Sequence, residues 1–140
     1  VENGLRKNKM SKKTKQKSKP LAKKDLDILW SKLIRDRDKT CVVCGKKPIQ
    51  AHHIFSRSYN STRWNLDNGI GLCYYHHIYW AHQKYEEFRK FIIDRIGEEK
   101  FEELRKYSQQ IIKIDKEELA KQHQFLLLII ADKDLMNPIP

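Results

Sequence analysis

Cys41 and Cys44 are separated by two residues, and so are Cys73 and His76, with 28 residues between the two pairs. Two-residue spacing lets both members of a pair reach one ion, from a knuckle in the first case and from a helix start in the second. Three thiolates and one imidazole complete the closed tetrahedral shell of a structural Zn2+ site. The pattern uses all three cysteines of the chain. The alternative is three small buried hydrophobes without a metal, but that role needs no paired spacing. A redox C-x-x-C would sit in a βαβ pattern, and none surrounds it.

A second group of chemically capable residues remains: the adjacent pair His52 and His53, then Asn68, His77 and His82. Gln50 to Phe55 reads as a strand, on which neighbouring side chains point to opposite faces. One imidazole of the pair is therefore free to ligate a metal while the other faces a substrate as a base. His77 follows His76 by one residue, about 100° further round a helix. The same helix start thus offers His76 to the structural ion and His77 to a second site. The loop Ser56 to Trp64 adds Arg57 and Arg63, candidates to hold phosphates by charge-assisted hydrogen bonds, against the plain alternative of surface arginines. Trp64 reads as packing.

These groups must be carried by a small α+β framework. Leu26, Leu29, Trp30, Leu33 and Ile34 form one helical stripe and predict a first helix over Lys23–Arg37. Gly45 and Pro48 mark the knuckle, Ser56 to Asp67 is a loop by composition, and Asn68-Gly69 signals a turn before a second strand over Ile70–Cys73. One helix is expected over Tyr74–Ile96 with Gly97 as its stop, then helices over Glu98–Gln110 and Lys116–Ala131. Asp115 and Glu118 read as a capping box for the last. The expected domains are a disordered basic arm at 1–22, a mostly helical single domain at 23–131, and a loose tail at 132–140.

The set His52-His53, Asn68 and His77 resembles the HNH endonuclease signature, also called the ββα-metal or His-Me finger, in its zinc-stabilised branch. Leu33-Ile34-Arg35-Asp36-Arg37-Asp38, Cys73-Tyr74-Tyr75 and the segment Ile92 to Glu99 resemble phage NinG-type recombination endonucleases. The resemblance covers roughly residues 26–107. It implies a ββα-metal hairpin-helix core with a structural zinc knuckle. It also implies metal-dependent hydrolysis of DNA phosphodiester bonds to 5′-phosphate and 3′-hydroxyl ends. In that reading His53 is the base, and His52 and His77 hold a catalytic Mg2+ or Mn2+, with Ni2+ or Zn2+ also suited to imidazole. Asn68 fixes the base-bearing strand. The chain departs from the pattern twice. Many relatives have a cysteine at His76, and the further metal histidine that some place one turn after His77 is Ala81 here. His82 is five residues on and about 140° away on a regular helix, so it becomes a ligand only if the helix is bulged or ends early.

The charge agrees with a DNA partner. Of 29 Lys and Arg against 18 Asp and Glu, residues 1–24 hold ten cations and one acid, a net +9 that leaves +2 for the remaining 116 residues. Such an arm supplies salt-sensitive, sequence-independent grip on a phosphate backbone. No base-reading module is evident, so low sequence specificity is expected. The competing reading is a non-catalytic zinc-finger DNA-binding module, which needs the four zinc ligands and the arm but not the remaining histidines. The longest apolar run, Phe125 to Ala131, is seven residues, where a membrane span needs about 20. No signal-like apolar stretch lies near residue 1, and three cysteines make no disulfide framework. The expected location is the cytoplasm, that of the bacterial host if the chain is phage-encoded. The apolar surface of the last helix suggests a homodimer interface.

Overall fold

The computed structural model describes residues 18–132. Most of the expected basic arm, and the tail after residue 132, lie outside the described residues. Helix α1 (Lys23–Asp38) buries Leu26, Trp30, Leu33 and Ile34 on the expected stripe. Its first turn is closed by Asp25 Oδ2, which accepts the Ala22 N–H at 2.8 Å.

Strands β1 (Gln50–His53) and β2 (Gly69–Leu72) form an antiparallel hairpin with His52 opposite Ile70 and His53 opposite Gly69. Alternation sorts the hairpin between two cores. Ile54, Ile70 and Leu72 pack with Phe88, Ile92 and Phe101 on one side. Ala51 joins Trp30, Ile34, Trp64 and Leu126 on the other. The glycines of β2 face α1, and their value is closeness. A Cβ on Gly69 would lie 2.5 Å from Trp30 Cζ2, and the residue is extended, at φ −128°. Gly69 thus lets the helix touch the sheet. The expected Asn68-Gly69 turn is instead a 3-10 turn over Leu66–Asn68, ending as β2 begins.

Arg37 and Asp38 clamp the end of α1 to β2. Arg37 donates to the Leu66 carbonyl at 2.8 Å and the Gly69 carbonyl at 2.7 Å, while Asp38 Oδ2 accepts the Gly71 N–H at 2.7 Å.

The helix expected over Tyr74–Ile96 is broken. After one α-helical step at Tyr74 and Tyr75 the chain makes a π-helical stretch over His76–Ala81, turns, and restarts as α2 (Tyr85–Ile96). The turn lets Phe88 and Ile92 pack beneath the hairpin. No glycine or proline lies between Cys73 and Gly97 to announce the break. Gly97, at φ 88°, ends α2 and leads directly into α3 (Glu98–Ser108). Asp115 caps α4 (Lys116–Ala131) by accepting the Glu118 N–H at 2.8 Å, but the Glu118 carboxylate accepts from Gln122 Nε2 at 3.0 Å. α4 packs on α1 through Leu119, Leu126 and Ile129 and leaves Phe125, Leu127 and Leu128 exposed. The fold is therefore helical with one two-stranded sheet. No helix of the described residues is long and apolar enough to cross a membrane.

Candidate functional site

The donor atoms of Cys41, Cys44, Cys73 and His76 all lie within 4.8 Å of one another. Cys44 Sγ is 3.7 Å from Cys73 Sγ, and His76 Nδ1 is 3.7 Å from Cys41 Sγ and 3.2 Å from Cys73 Sγ. A Zn–S bond of about 2.3 Å gives a tetrahedron with edges of about 3.8 Å, so these separations fit a zinc ion. The knuckle is shaped by Gly45 at φ 75°, by the Gly45 N–H on the Cys41 carbonyl (2.8 Å), and by the Val42 N–H on the Gly71 carbonyl (3.1 Å). Burial raises the Cys41 pKa, but backbone N–H groups of Cys73, Cys44 and Val43 outweigh it and hold the thiol below its ordinary range. The thiolate is the form that binds metal.

His52, His77 and His82 make a second group whose donor atoms also fall within 4.8 Å. Their ring centroids are 4.9 to 5.1 Å apart. The π stretch brings His82 in: its i→i+5 hydrogen bonding widens the turn, so residues five apart share a face. On a regular helix His82 would point away from His77. Gln50 Oε1 accepts the His77 Nδ1–H at 2.6 Å, which leaves Nε2 as the lone-pair donor. Burial, then the neighbouring imidazoles His77, His82 and His53, push His52 down to about 3. Burial and then His82 lower His77. Both rings are neutral at pH 7, as metal ligation requires.

His53 points the other way. Its ring stacks on Trp30 with centroids 3.8 Å apart and an angle of 10°. Its Nε2 lies 2.9 Å from the Arg63 carbonyl, which can only accept, so Nε2 carries the proton and Nδ1 the lone pair. Burial lowers the His53 pKa, against the raising effects of that hydrogen bond and of Asp27. His53 therefore sits neutral with Nδ1 able to take a proton.

Asn68 is fully buried and ties the hairpin to the loop. Its Oδ1 accepts the Phe55 N–H at 2.8 Å; its Nδ2 donates to the Phe55 carbonyl at 2.9 Å and the Thr62 carbonyl at 3.1 Å. These bonds replace the strand ladder that was expected to run to Phe55. They also fix the peptide before Arg63, whose carbonyl holds His53.

The two arginines part company. Arg57 is exposed and lines a cleft of about 390 Å3 with His52, His53, His82 and Tyr85. The Arg63 side chain is only 16% exposed and grips Asp27 with two bonds of 2.9 and 2.7 Å. The Trp64 indole donates to the same carboxylate at 2.8 Å, and Trp64 is buried packing as expected. Arg63 thus belongs to the support of the loop, and Arg57 to the open site.

Three residues of the site escaped the sequence reading. Gln50 is two positions before His52, hence on the same strand face, and that periodicity was a usable signal. Trp30 read only as a core position of its helical stripe. Asp27 carried no signal, because nothing local shows that α1 lies against the loop.

Comparison with curated proteins and with solved structures gave no match. The family model described as the bacteriophage lambda NinG protein matches residues 2–129. That span takes in α1, both groups of metal donors, His53, Asn68 and nearly all of α4, so the chain belongs to the phage lambda NinG family.

Proposed function

We propose that this chain is a metal-dependent DNA endonuclease built on a ββα-metal core, serving phage DNA processing. One observation carries the reading. The imidazoles His52 and His82 and the neutral base His53, held from behind by its Nε2–H, line the same cleft, with His77 beside the first two. A structural zinc module has no use for that arrangement.

His53 Nδ1 takes a proton from the water that attacks the phosphodiester phosphorus, and the Arg63 carbonyl keeps the ring oriented as it becomes cationic. Attack breaks the P–O3′ bond, and the 3′ oxygen takes a proton from solvent water to leave as a 3′-hydroxyl, with the phosphate retained on the 5′ side. Arg57 holds a non-bridging phosphate oxygen at the cleft mouth. Asn68 fixes the strand end and the carbonyl on which His53 depends. His52, His77 and His82 would hold a divalent cation, which when bound would supply charge stabilisation for the phosphate group. Three imidazoles without a carboxylate suit Mn2+ and its heavier neighbours better than Mg2+.

The test is nicking of supercoiled plasmid by the zinc-loaded chain with Mn2+ or Mg2+ added, compared with His53→Ala at equal zinc content. Loss of at least ~100-fold is expected. Parent-like cleavage by the variant removes His53 from the mechanism. DNA binding without cleavage under every divalent ion favours the non-catalytic zinc module.

A further inference from the structure

Tyr74, Tyr75 and Tyr79 stand on the turn that leaves the zinc cluster, and they are 60%, 60% and 48% exposed. Their rings form one group, with Tyr79 centred 6.0 Å from both Tyr74 and Tyr75. The π stretch builds this group as it builds the histidine cluster: Tyr74 and Tyr79 are five residues apart, as are His77 and His82. Among the described residues none of the three hydroxyls has a hydrogen-bond partner. Every exposed large apolar side chain between residues 39 and 84 is a tyrosine. The exposed large side chains of the patch are thus aromatic, with Ile78 only partly exposed among them, unlike α4, where Phe125 is exposed beside Leu127 and Leu128.

The knuckle that precedes it in the chain carries charge of one sign, while Glu87, among the first acids that follow it in the chain, is taken by the Trp80 indole at 3.1 Å. Segment 39–47 contains Lys39, Lys46 and Lys47 and no acid. All three lysines are exposed, and among the described residues none has a carboxylate partner. The Cys/His cluster brings the knuckle to the start of the tyrosine segment, since Cys44 Sγ is 3.7 Å from Cys73 Sγ and Tyr74 follows Cys73 directly.

We propose that Tyr74, Tyr75 and Tyr79, with the lysines of the knuckle, form a stacking platform for unpaired bases of a DNA strand. Flat aromatic faces beside free cations are the combination that binds single strands without reading sequence. In a duplex the base faces are already stacked on one another, so the rings engage only a strand that is locally open. The platform rests on the reading that the chain acts on DNA, and it narrows the substrate to DNA with an unpaired stretch next to the site cut.

Fluorescence anisotropy of the full zinc-loaded chain with labelled dT15, and with a hairpin duplex, tests this without added Mg2+ or Mn2+. At the low end of base–aromatic stacking, two stacked bases amount to ~30-fold in affinity. The Tyr74→Ala/Tyr75→Ala/Tyr79→Ala variant is therefore expected to lose ~30-fold or more on dT15 and less than ~3-fold on the duplex. The corresponding triple Phe variant keeps the rings and should bind dT15 within ~3-fold of the parent. Unchanged dT15 binding by the Ala variant, or equal losses on both DNAs, overturns the platform and leaves the patch a protein-docking face. If the Ala variant folds poorly, seen as low zinc content, photocrosslinking of the parent to an oligonucleotide containing 5-iododeoxyuridine decides. Crosslinks at Tyr74, Tyr75 or Tyr79 support the platform, and crosslinks only elsewhere overturn it. Plasmid cleavage by the same parent preparation keeps the two readings apart. A parent that cleaves while its Ala variant binds dT15 unchanged sinks the platform alone. A parent that binds dT15 through the tyrosines and never cleaves sinks the nuclease alone.

Discussion

Replacing Asn68 by Ala removes three hydrogen bonds at once and leaves the Phe55 N–H, the Phe55 carbonyl and the Thr62 carbonyl without their partner. Each buried backbone group left unsatisfied costs about 1–3 kcal/mol. Phe55 is only half-buried, so water recovers part of its share and the low end applies. The sum is about 3 kcal/mol, which corresponds to roughly 10 °C in melting temperature for a chain of this size. Asn68→Asp should be no better at pH 7. Its carboxylate still accepts from the Phe55 N–H but turns a second oxygen toward two carbonyl oxygens. Thermal and denaturant unfolding of both variants, at zinc content equal to the parent, measure the cost. Cleavage should fall with them, because the loop that carries the Arg63 carbonyl loses its anchor and His53 its orientation. A loss below ~1 kcal/mol for Asn68→Ala would show that the buried amide is not what holds the loop to the hairpin.

Arg63→Ala should cost about 1–3 kcal/mol, since it strands the Asp27 carboxylate on Trp64 alone, whereas Arg57→Ala should leave stability unchanged and weaken phosphate binding. Denaturation paired with a DNA-binding measurement separates the two, and the opposite assignment refutes the placement. His52 has a folded pKa far below its unfolded value, so its contribution to stability is complete above about pH 6.5 and is lost as pH falls toward about 3. The parent should therefore lose stability relative to His52→Gln between pH 7 and 5, and a constant difference over that range contradicts the burial argument. Chelating the zinc should loosen the knuckle and the start of the π turn, seen as a melting temperature lower by ten degrees or more, since the four donors tie together two segments separated by 28 residues of the chain. We also propose a homodimer through the exposed Phe125, Leu127 and Leu128 of α4; sedimentation should show Leu128→Lys shifting the chain toward monomer, and a parent that is monomeric at all concentrations rules this out.

Much of the site was legible because its signals are local. The paired spacing of Cys41, Cys44, Cys73 and His76 depends only on short-range chain geometry, and the structure gathers those four donors. The divergence of His52 and His53 follows from strand periodicity, and the hairpin places them on opposite faces, one toward Phe88 and the other on Trp30. Strand ends were misplaced by one or two residues, since Asn68 substitutes a side chain for the last rungs of the ladder.

The amino-acid sequence by itself determined the donor types, their pairing along the chain, the helical stripes and the uneven charge, because each of these is written in residues close together. Tertiary structure alone decided which histidines meet, which arginine stays open and what holds His53. His82 joins His52 and His77 only through a π stretch that no glycine or proline announces, stabilised by how α2 packs under the hairpin. Arg63 is drawn away from solvent by Asp27, 36 residues earlier, and the imidazole of His53 is set by Trp30 from the same helix. Contacts of that separation arise from the packing of α1 on the sheet, which side-chain volumes and glycine gaps decide together and no short window of sequence contains.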